Sequence, residues 1–368
     1  MNQISNVQVF CLLQASTAPL AFLFVPMVAI YSARNGAWLA FLISVLPTAL
    51  LAYLYLHIMR KSSRPFPASL EEHLGKILGK LIGFLYILVF LFTTVLAISY
   101  FTTLISSSIV PDTPLSIYIS LMLLVTYSAL KSGMENMARV IEIVFILAFL
   151  PMLVLLVTSL LQSPDIGALF PIIQTSYWDL MNAMLYSFCI SGELMAILTF
   201  AHFSNDRSKI ATPLKWVVAL YAIMITLVTT GVLMNFGPDY ANHISFPILK
   251  LIRSIKVGDF IQNIDIIFIS IFIMVIFSSV CVKWFLTCFS IQQVFGLRDY
   301  RFLAAPTAVL IGVASLMTGK NIIVIQTIVH TMLPFIYSIF FIIIPCLLWL
   351  VVIFKPVSKK NPIEAPPA

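Results

Sequence analysis

Charged residues are scarce in this sequence, and their scarcity excludes most kinds of protein. Only 10% of the 368 residues are Asp, Glu, Lys or Arg, whereas 61% are hydrophobic and the mean hydropathy is +1.06. A soluble domain carries about 25% charged residues because water must wet its surface. The 21 basic and 14 acidic residues are too few to coat a globule of 41.1 kDa. The sequence therefore predicts an integral membrane protein and excludes a soluble enzyme, a nucleic-acid-binding protein and a secreted scaffold.

Motifs for catalysis and for metals are missing as well. The sequence contains no His-Glu-x-x-His pair, no phosphate-binding glycine-rich loop ending in Gly-Lys-Ser/Thr, and no Gly-x-Ser-x-Gly turn. The five cysteines lie inside apolar runs and form no Cys-x-x-Cys pair. We therefore expect no enzymatic activity, no cofactor and no metal site. The first residues also lack the basic region of a signal peptide, so the first apolar segment is expected to remain as a span.

Long apolar runs define ten candidate spans. A helix needs about 20 apolar residues to cross a hydrocarbon core about 30 Å thick. By this measure the predicted spans are 7–31, 37–59, 81–107, 115–130, 138–161, 181–201, 213–236, 262–289, 302–319 and 325–354. Residues 1–368 are predicted to form one transmembrane domain of two five-span halves, about 7–161 and 181–354, with short cytoplasmic tails.

The basic residues predict the orientation. Placing the N-terminus in the cytoplasm leaves fifteen of the 21 Lys and Arg residues on the cytoplasmic side. Positive charge collects in short cytoplasmic loops of membrane proteins, so both termini are expected to be cytoplasmic. Two short surface helices are also predicted: one after Pro67, opened by a capping box at Ser69–Glu72, and one on the outer side that begins at Pro247.

Polar residues and helix breakers occur in the first and sixth spans, which begin the two halves. Span one contains Gln14-Ala15-Ser16-Thr17-Ala18-Pro19, and Pro19 frees backbone carbonyls near residues 15 and 16. Span six contains Ser191-Gly192-Glu193, with a carboxylate at similar depth. Paired interrupted helices in inverted halves are typical of a central binding site in transporters. The alternative is that Pro19 only kinks span one and that Ser and Thr bond within their own helices.

The predicted fold is therefore an all-α membrane protein, a 5+5 inverted repeat with interrupted helices 1 and 6. Helix ends exposed at such breaks favour an anionic group such as a carboxylate. The candidate ligand-binding residues are Ser16, Thr17, Ala18, Tyr100, Ser191, Gly192 and Glu193. Tyr100 is equally compatible with plain packing.

Ionisable residues inside the membrane are costly and mark candidate coupling groups, here Glu193, Lys283 and Glu142. Lys283 either extends to the cytoplasmic interface or holds an ammonium where a coupling cation would otherwise sit. Glu142 is one turn after Arg139, so an interfacial ion pair is the simpler interpretation.

Several segments, in order, resemble the endospore permease family of spore germination proteins. They are Ala33-Arg34-Asn35-Gly36-Ala37-Trp38-Leu39, Lys131 through Glu142, Ser191-Gly192-Glu193, and the run from Phe246 to Asp265. Members of this family are the B subunits of nutrient germinant receptors and are related to amino acid–polyamine–organocation transporters. The resemblance implies a ten-helix inverted-repeat fold in the spore inner membrane. It also implies a larger A subunit and a lipoprotein C subunit as partners, and a small nutrient, commonly an amino acid, as ligand.

The sequence departs from the family pattern at two positions. The family's glycine-containing break in span one corresponds here to Gln14–Pro19, which has no glycine, and Asn263 stands where an arginine is common. Three functions remain open: a receptor subunit that binds an amino acid-like nutrient and triggers germination, a proton-coupled amino acid permease, and an architectural receptor subunit with a vestigial site. The lipid bilayer is the environment in all three, and no nucleic acid is involved.

Overall fold

The structure is a computed structural model that describes residues 3–109, 111–162, 165–171, 176–244, 246–255 and 264–354. The C-terminal tail at 355–368 and the segment 256–263, which includes Asn263, lie outside the described residues. The expectations for these two segments therefore stay predictions.

Helices account for most of the described chain. The α-helices are α1 Asn6–Ala33, α2 Ala37–Lys61, α3 Ala68–Leu74, α4 Lys76–Ser108, α5 Leu115–Lys131, α6 Met134–Gln162, α7 Tyr177–Ser191, α8 Ile197–Phe200, α9 Ala211–Ala241, α10 Pro247–Arg253, α11 Ile264–Phe295, α12 Ala304–Thr318, α13 Ile322–Thr327, α14 Leu333–Tyr337 and α15 Ile344–Phe354. The last three are joined by two π-helical stretches, Ile328–Met332 and Ser338–Ile343. Among the described residues, β-structure is limited to one bridge between Ile4 and Ser204.

Each predicted span overlaps a long helical segment, and the all-α membrane fold is confirmed. Eight stretches of the described residues are long and apolar enough to cross a membrane, and one of them, Val25–Lys61, runs through the α1–α2 junction. The helix Leu115–Lys131 is apolar but shorter than these.

Helix α1 lies at the centre of the bundle and packs against α6, α7, α9 and α11. It differs from the expected interrupted helix, because it continues from Asn6 to Ala33 with Pro19 and Pro26 inside it. A proline removes a single backbone donor, and the rest of the helical ladder can continue on either side. The sixth helix is interrupted as predicted: α7 ends at Ser191, and Gly192–Ala196 form a tighter 3₁₀ turn before α8.

The two predicted surface helices are present. Helix α10 begins at Pro247 and buries Ile248, Leu251 and Ile252. Helix α3 follows Pro67, but its predicted capping box is wrong: the Glu72 carboxylate accepts hydrogen bonds from the backbone of Ser63 and Arg64 and no side-chain cap forms. Helix α3 begins at Ala68, so Ser69 lies inside its first turn, and the loop before the helix engages Glu72 instead.

Candidate functional site

A buried ion pair joins the break in the sixth helix to α11. The Lys283 Nζ lies 2.7 Å from both carboxylate oxygens of Glu193, and the two side chains are only 2% and 3% exposed. The same ammonium donates to the Ser16 carbonyl of α1 at 3.0 Å. The Tyr337 hydroxyl of α14 donates to Glu193 Oε1. One pair of charges therefore holds four helical segments together in the core.

The hydrogen-bond partners explain why this pair is tolerated. Removing two charges from water costs several kcal/mol per ion unless geometry and further hydrogen bonds compensate. Here the Glu193 carboxylate accepts hydrogen bonds from the Lys283 ammonium and the Tyr337 hydroxyl. The ammonium also donates to the Ser16 carbonyl. The Ser16 carbonyl is one of the groups that Pro19 was predicted to leave available near residues 15 and 16.

Close packing at Gly192 sets the distance between the helix break and the last span. A Cβ added to Gly192 would lie 2.5 Å from the Cβ of Phe341, closer than real Cβ atoms approach. The Gly192 carbonyl accepts a hydrogen bond from the Tyr55 hydroxyl at 3.1 Å. Only glycine lets the π-helical segment approach the 3₁₀ turn this closely.

Two buried tyrosines donate hydrogen bonds to backbone carbonyls shortly before Pro345. Pro345 has no N–H, so the Phe341 carbonyl four residues earlier loses its α-helical donor. That carbonyl accepts a hydrogen bond from Tyr55, and the neighbouring Phe340 carbonyl accepts one from Tyr86. Pro345 was therefore a sequence signal that could have located this part of the site.

Two of the hydroxyl groups predicted to bind a ligand, those of Thr17 and Ser191, are engaged within the protein. Thr17 Oγ1 donates to the Leu13 carbonyl, and Ser191 Oγ donates to the Phe188 carbonyl while it accepts from Thr48. This back-bonding is the alternative that the sequence left open for Ser and Thr. Of the predicted ligand-binding residues, Glu193 is a member of the ion pair, and Ser16 contacts the pair through its backbone carbonyl.

Tyr100 and Ala18 lie away from the pair. Tyr100 packs edge to face against Phe246, with ring centroids 5.5 Å apart. It is seven residues, or about 10 Å, along α4 from Thr93, which lines the small cavity beside Glu193. Ala18 lines a separate cavity, on the side of α1 that faces α6.

The coupling candidates have different partners from those that sequence spacing suggested. Lys283 is buried with Glu193 and does not extend to the interface. Glu142 accepts a hydrogen bond from Gln8 Nε2 at 3.0 Å, and Arg139 pairs with Glu135 at 2.5 Å. The expected Arg139–Glu142 pair is therefore wrong, because Glu135 is one turn away on the exposed face of the same helix.

The ion pair is enclosed and leaves little free space. The cavity beside it has a volume of about 10 Å³ and is lined by Ser16, Phe90, Thr93, Glu193, Lys283, Leu286 and Phe341. That is about the space of one water molecule. Among the described residues, no group of three or more His, Cys, Asp or Glu side chains could hold a metal ion. The chemistry available here is charge pairing and hydrogen bonding between packed helices.

An all-helical membrane fold with an ion pair at a broken helix is the architecture of a transporter-like protein. The crystal structure of MhsT in complex with L-phenylalanine has the same fold, with a TM-score of 0.66 over 96% of this chain and 90% of that chain, at 15% sequence identity. The class defined by fold and site is therefore that of multi-pass membrane proteins with a transporter fold.

The family is shown by sequence. The chain belongs to the spore germination protein family, whose sequence model matches residues 3–323. It is 23% identical over 299 residues to spore germination protein KB of Bacillus subtilis (strain 168), covering 78% of this chain and 79% of that protein. It is 24% identical over 291 residues to YfkT of the same organism, covering 77% of each chain. The expected family is confirmed.

Proposed function

We propose that this protein is the membrane subunit of a spore nutrient germinant receptor, and that it binds a small amino acid-like nutrient where α1 meets the broken α7–α8 helix. The observation that carries the proposal is the buried Lys283–Glu193 pair, which bridges that break to α11 and contacts α1. A receptor A subunit and a lipoprotein C subunit complete the receptor in the spore inner membrane, with both termini of this chain in the cytoplasm. The family and its similarity to protein KB support this assignment.

Nutrient binding requires the ion pair to open, since the cavity of about 10 Å³ holds no more than a water molecule. An amino acid zwitterion suits this step because its carboxylate pairs with Lys283 while its ammonium pairs with Glu193. Each buried charge then keeps a partner throughout. The ligand favours the open arrangement by its differential affinity for it, and no net transport is needed for signalling. The MhsT structure, solved with an amino acid bound, supports this ligand class.

A proton-coupled amino acid permease is the second candidate function. The observation that favours it is the same carboxylate, because an ionisable group buried at membrane depth is a typical proton carrier. In a permease, Glu193 would exchange a proton as the pair opens and closes. If the protein is instead an architectural subunit with a vestigial site, neither Glu193 nor Lys283 is needed for the germination response to a nutrient.

The deciding experiment compares germination and uptake for the same variants. Spores carrying Glu193→Gln or Lys283→Met are exposed to a panel of amino acids, and loss of refractility is followed against time. We expect both variants to lose the nutrient response, while Glu135→Gln, which removes a carboxylate from an exposed pair, retains it. Uptake of labelled amino acids into vesicles is measured in parallel.

The three functions give different results in this experiment. Loss of germination without measurable uptake by the wild-type protein supports the receptor. Uptake driven by a proton gradient and abolished in Glu193→Gln supports the permease. An unchanged nutrient response in both variants, at equal protein levels, rejects a role for the ion pair in nutrient recognition.

A further inference from the structure

A second cavity lies on the other side of α1 from the ion pair. It has a volume of about 60 Å³ and is enclosed by α1, α6, α9 and α11. Helix α1 contributes Cys11, Gln14, Ala15, Ala18 and Phe22, which recur at i, i+3, i+4, i+7 and i+11 and so share one face. Ser16, which contacts Lys283, is about 150° away around the helix.

One polar side-chain group at this cavity has no hydrogen-bond partner among the described residues. Gln14 is only 4% exposed, and its Nε2 makes no hydrogen bond to the part of the chain that the structure describes. A buried donor without an acceptor is costly, and such groups are usually satisfied by a water or a ligand. Gln14 is one of the residues that line the cavity, and rotation about its terminal side-chain torsion, which is broad for an amide, turns the Nε2 toward an acceptor bound there.

The rest of the lining is unsuited to water. A buried water needs two to four polar partners. Besides Gln14, the lining side chains include one hydroxyl, that of Ser278, which already donates to the Met274 carbonyl. The other walls are mainly apolar side chains such as Met152 and Met224. Apolar cavities of this kind stay dry and take up small apolar guests.

We propose that this cavity is a binding site for a small neutral molecule with a short alkyl group and one oxygen acceptor, the chemistry of a short-chain alcohol or aldehyde. The alkyl group contacts Met152, Met224 and Ala148, and the oxygen accepts a hydrogen bond from Gln14 Nε2. An engineered cavity of 150 Å³ binds benzene, so about 60 Å³ accommodates two or three non-hydrogen atoms. The site is separate from the nutrient site proposed above and does not depend on it.

The two methionines of the lining make the proposal testable on the full-length protein. The protein is labelled with ¹³C at its methionine methyl groups, reconstituted in nanodiscs and titrated with ethanol, while methyl spectra are recorded. Saturable shifts are expected for Met152 and Met224 and not for Met59, which is buried on α2 away from the cavity. Three non-hydrogen atoms limit the Kd to about 0.5 mM at the tightest, so the titration extends to about 100 mM.

Xenon and two substitutions separate the parts of the proposal. Gln14→Leu is expected to weaken ethanol binding about twofold to tenfold, which is the range of one neutral hydrogen bond, and to leave xenon binding intact. Ala148→Leu fills the cavity and is expected to abolish both. Equal responses of Met152 and Met224 to ethanol in wild type and Gln14→Leu would overturn the role assigned to the amide. An absence of saturable shifts with both probes in the wild-type protein would overturn the site itself.

Discussion

Breaking the Lys283–Glu193 pair from one side is expected to cost much more stability than replacing both partners. The Nζ lies 2.7 Å from both oxygens, and neither side chain is more than 3% exposed. Removing one member of such a pair leaves an uncompensated buried charge, which costs about 3–5 kcal/mol. We therefore expect Lys283→Met and Glu193→Gln each to lower the free energy of unfolding by that amount.

The double variant is expected to recover most of the loss. With Lys283→Met and Glu193→Gln combined, no charge remains, and the amide oxygen at position 193 still accepts from Tyr337. Replacing a buried ion pair by neutral groups of similar volume is often neutral or stabilising. The double variant should thus fall within about 1 kcal/mol of wild type, and the coupling energy of the cycle should be at least about 5 kcal/mol.

The assay is an SDS titration of the purified protein in mixed micelles, followed by far-ultraviolet circular dichroism. The matched control is the same cycle on Arg139 and Glu135, an i,i+4 pair whose side chains are 61% and 38% exposed. Exposed pairs of this spacing contribute about 0.3–0.5 kcal/mol. A coupling energy for the buried pair no larger than that of the control would refute the reasoning, because it would mean that the two charges do not compensate each other.

Two further predictions concern the contacts around the helix break. Gly192→Ala adds a Cβ that would lie 2.5 Å from the Phe341 Cβ, so it is expected to destabilise the protein by about 1–3 kcal/mol in the same titration. Gly312→Ala should cost less, since its Cβ meets only the end of a leucine side chain at 3.1 Å; equal costs would contradict the close approach. Tyr55→Phe removes the hydroxyl whose proton lies between the Phe341 and Gly192 carbonyls, and it is expected to cost about 1–3 kcal/mol. Faster amide exchange in the segment 338–343 should accompany it, and unchanged exchange there would show that the hydroxyl does not support the π-helical segment.

The sequence predicted the elements that depend on local composition. Long apolar runs located the spans because a membrane leaves few alternatives to a helix. The break at Ser191–Glu193 was also predictable, since glycine beside a serine and a carboxylate is unfavourable inside an apolar helix. Span one was harder to predict: Pro19 signals a break, and the continuous helix depends on neighbours that local sequence does not reveal.

The partners within the site could not be predicted from spacing. Lys283 and Glu193 are 90 residues apart, and either could have faced another group. Tyr337 was missed because a single tyrosine in an apolar span cannot be distinguished from a packing residue when the partner of its hydroxyl is unknown. Pro345 was a usable signal for one unpaired carbonyl, but it did not identify Tyr55 as the donor.

An ion pair that closes the proposed nutrient site also limits which ligands can trigger a response. To move a two-state equilibrium from 1:99 to 99:1, a ligand must bind the open state about 10⁴-fold more tightly than the closed one. A ligand without charged groups would have to achieve this while Lys283 and Glu193 are separated and unpaired in the core, which costs several kcal/mol. A zwitterion avoids that cost because it replaces each lost partner with an opposite charge. On the proposed function, removing either the amino or the carboxyl group from an active nutrient should therefore abolish the germination response. Changing the nutrient's side chain should only change the strength of that response. Full activity of a deaminated or decarboxylated analogue in the germination assay would contradict this charge requirement while leaving the receptor assignment intact.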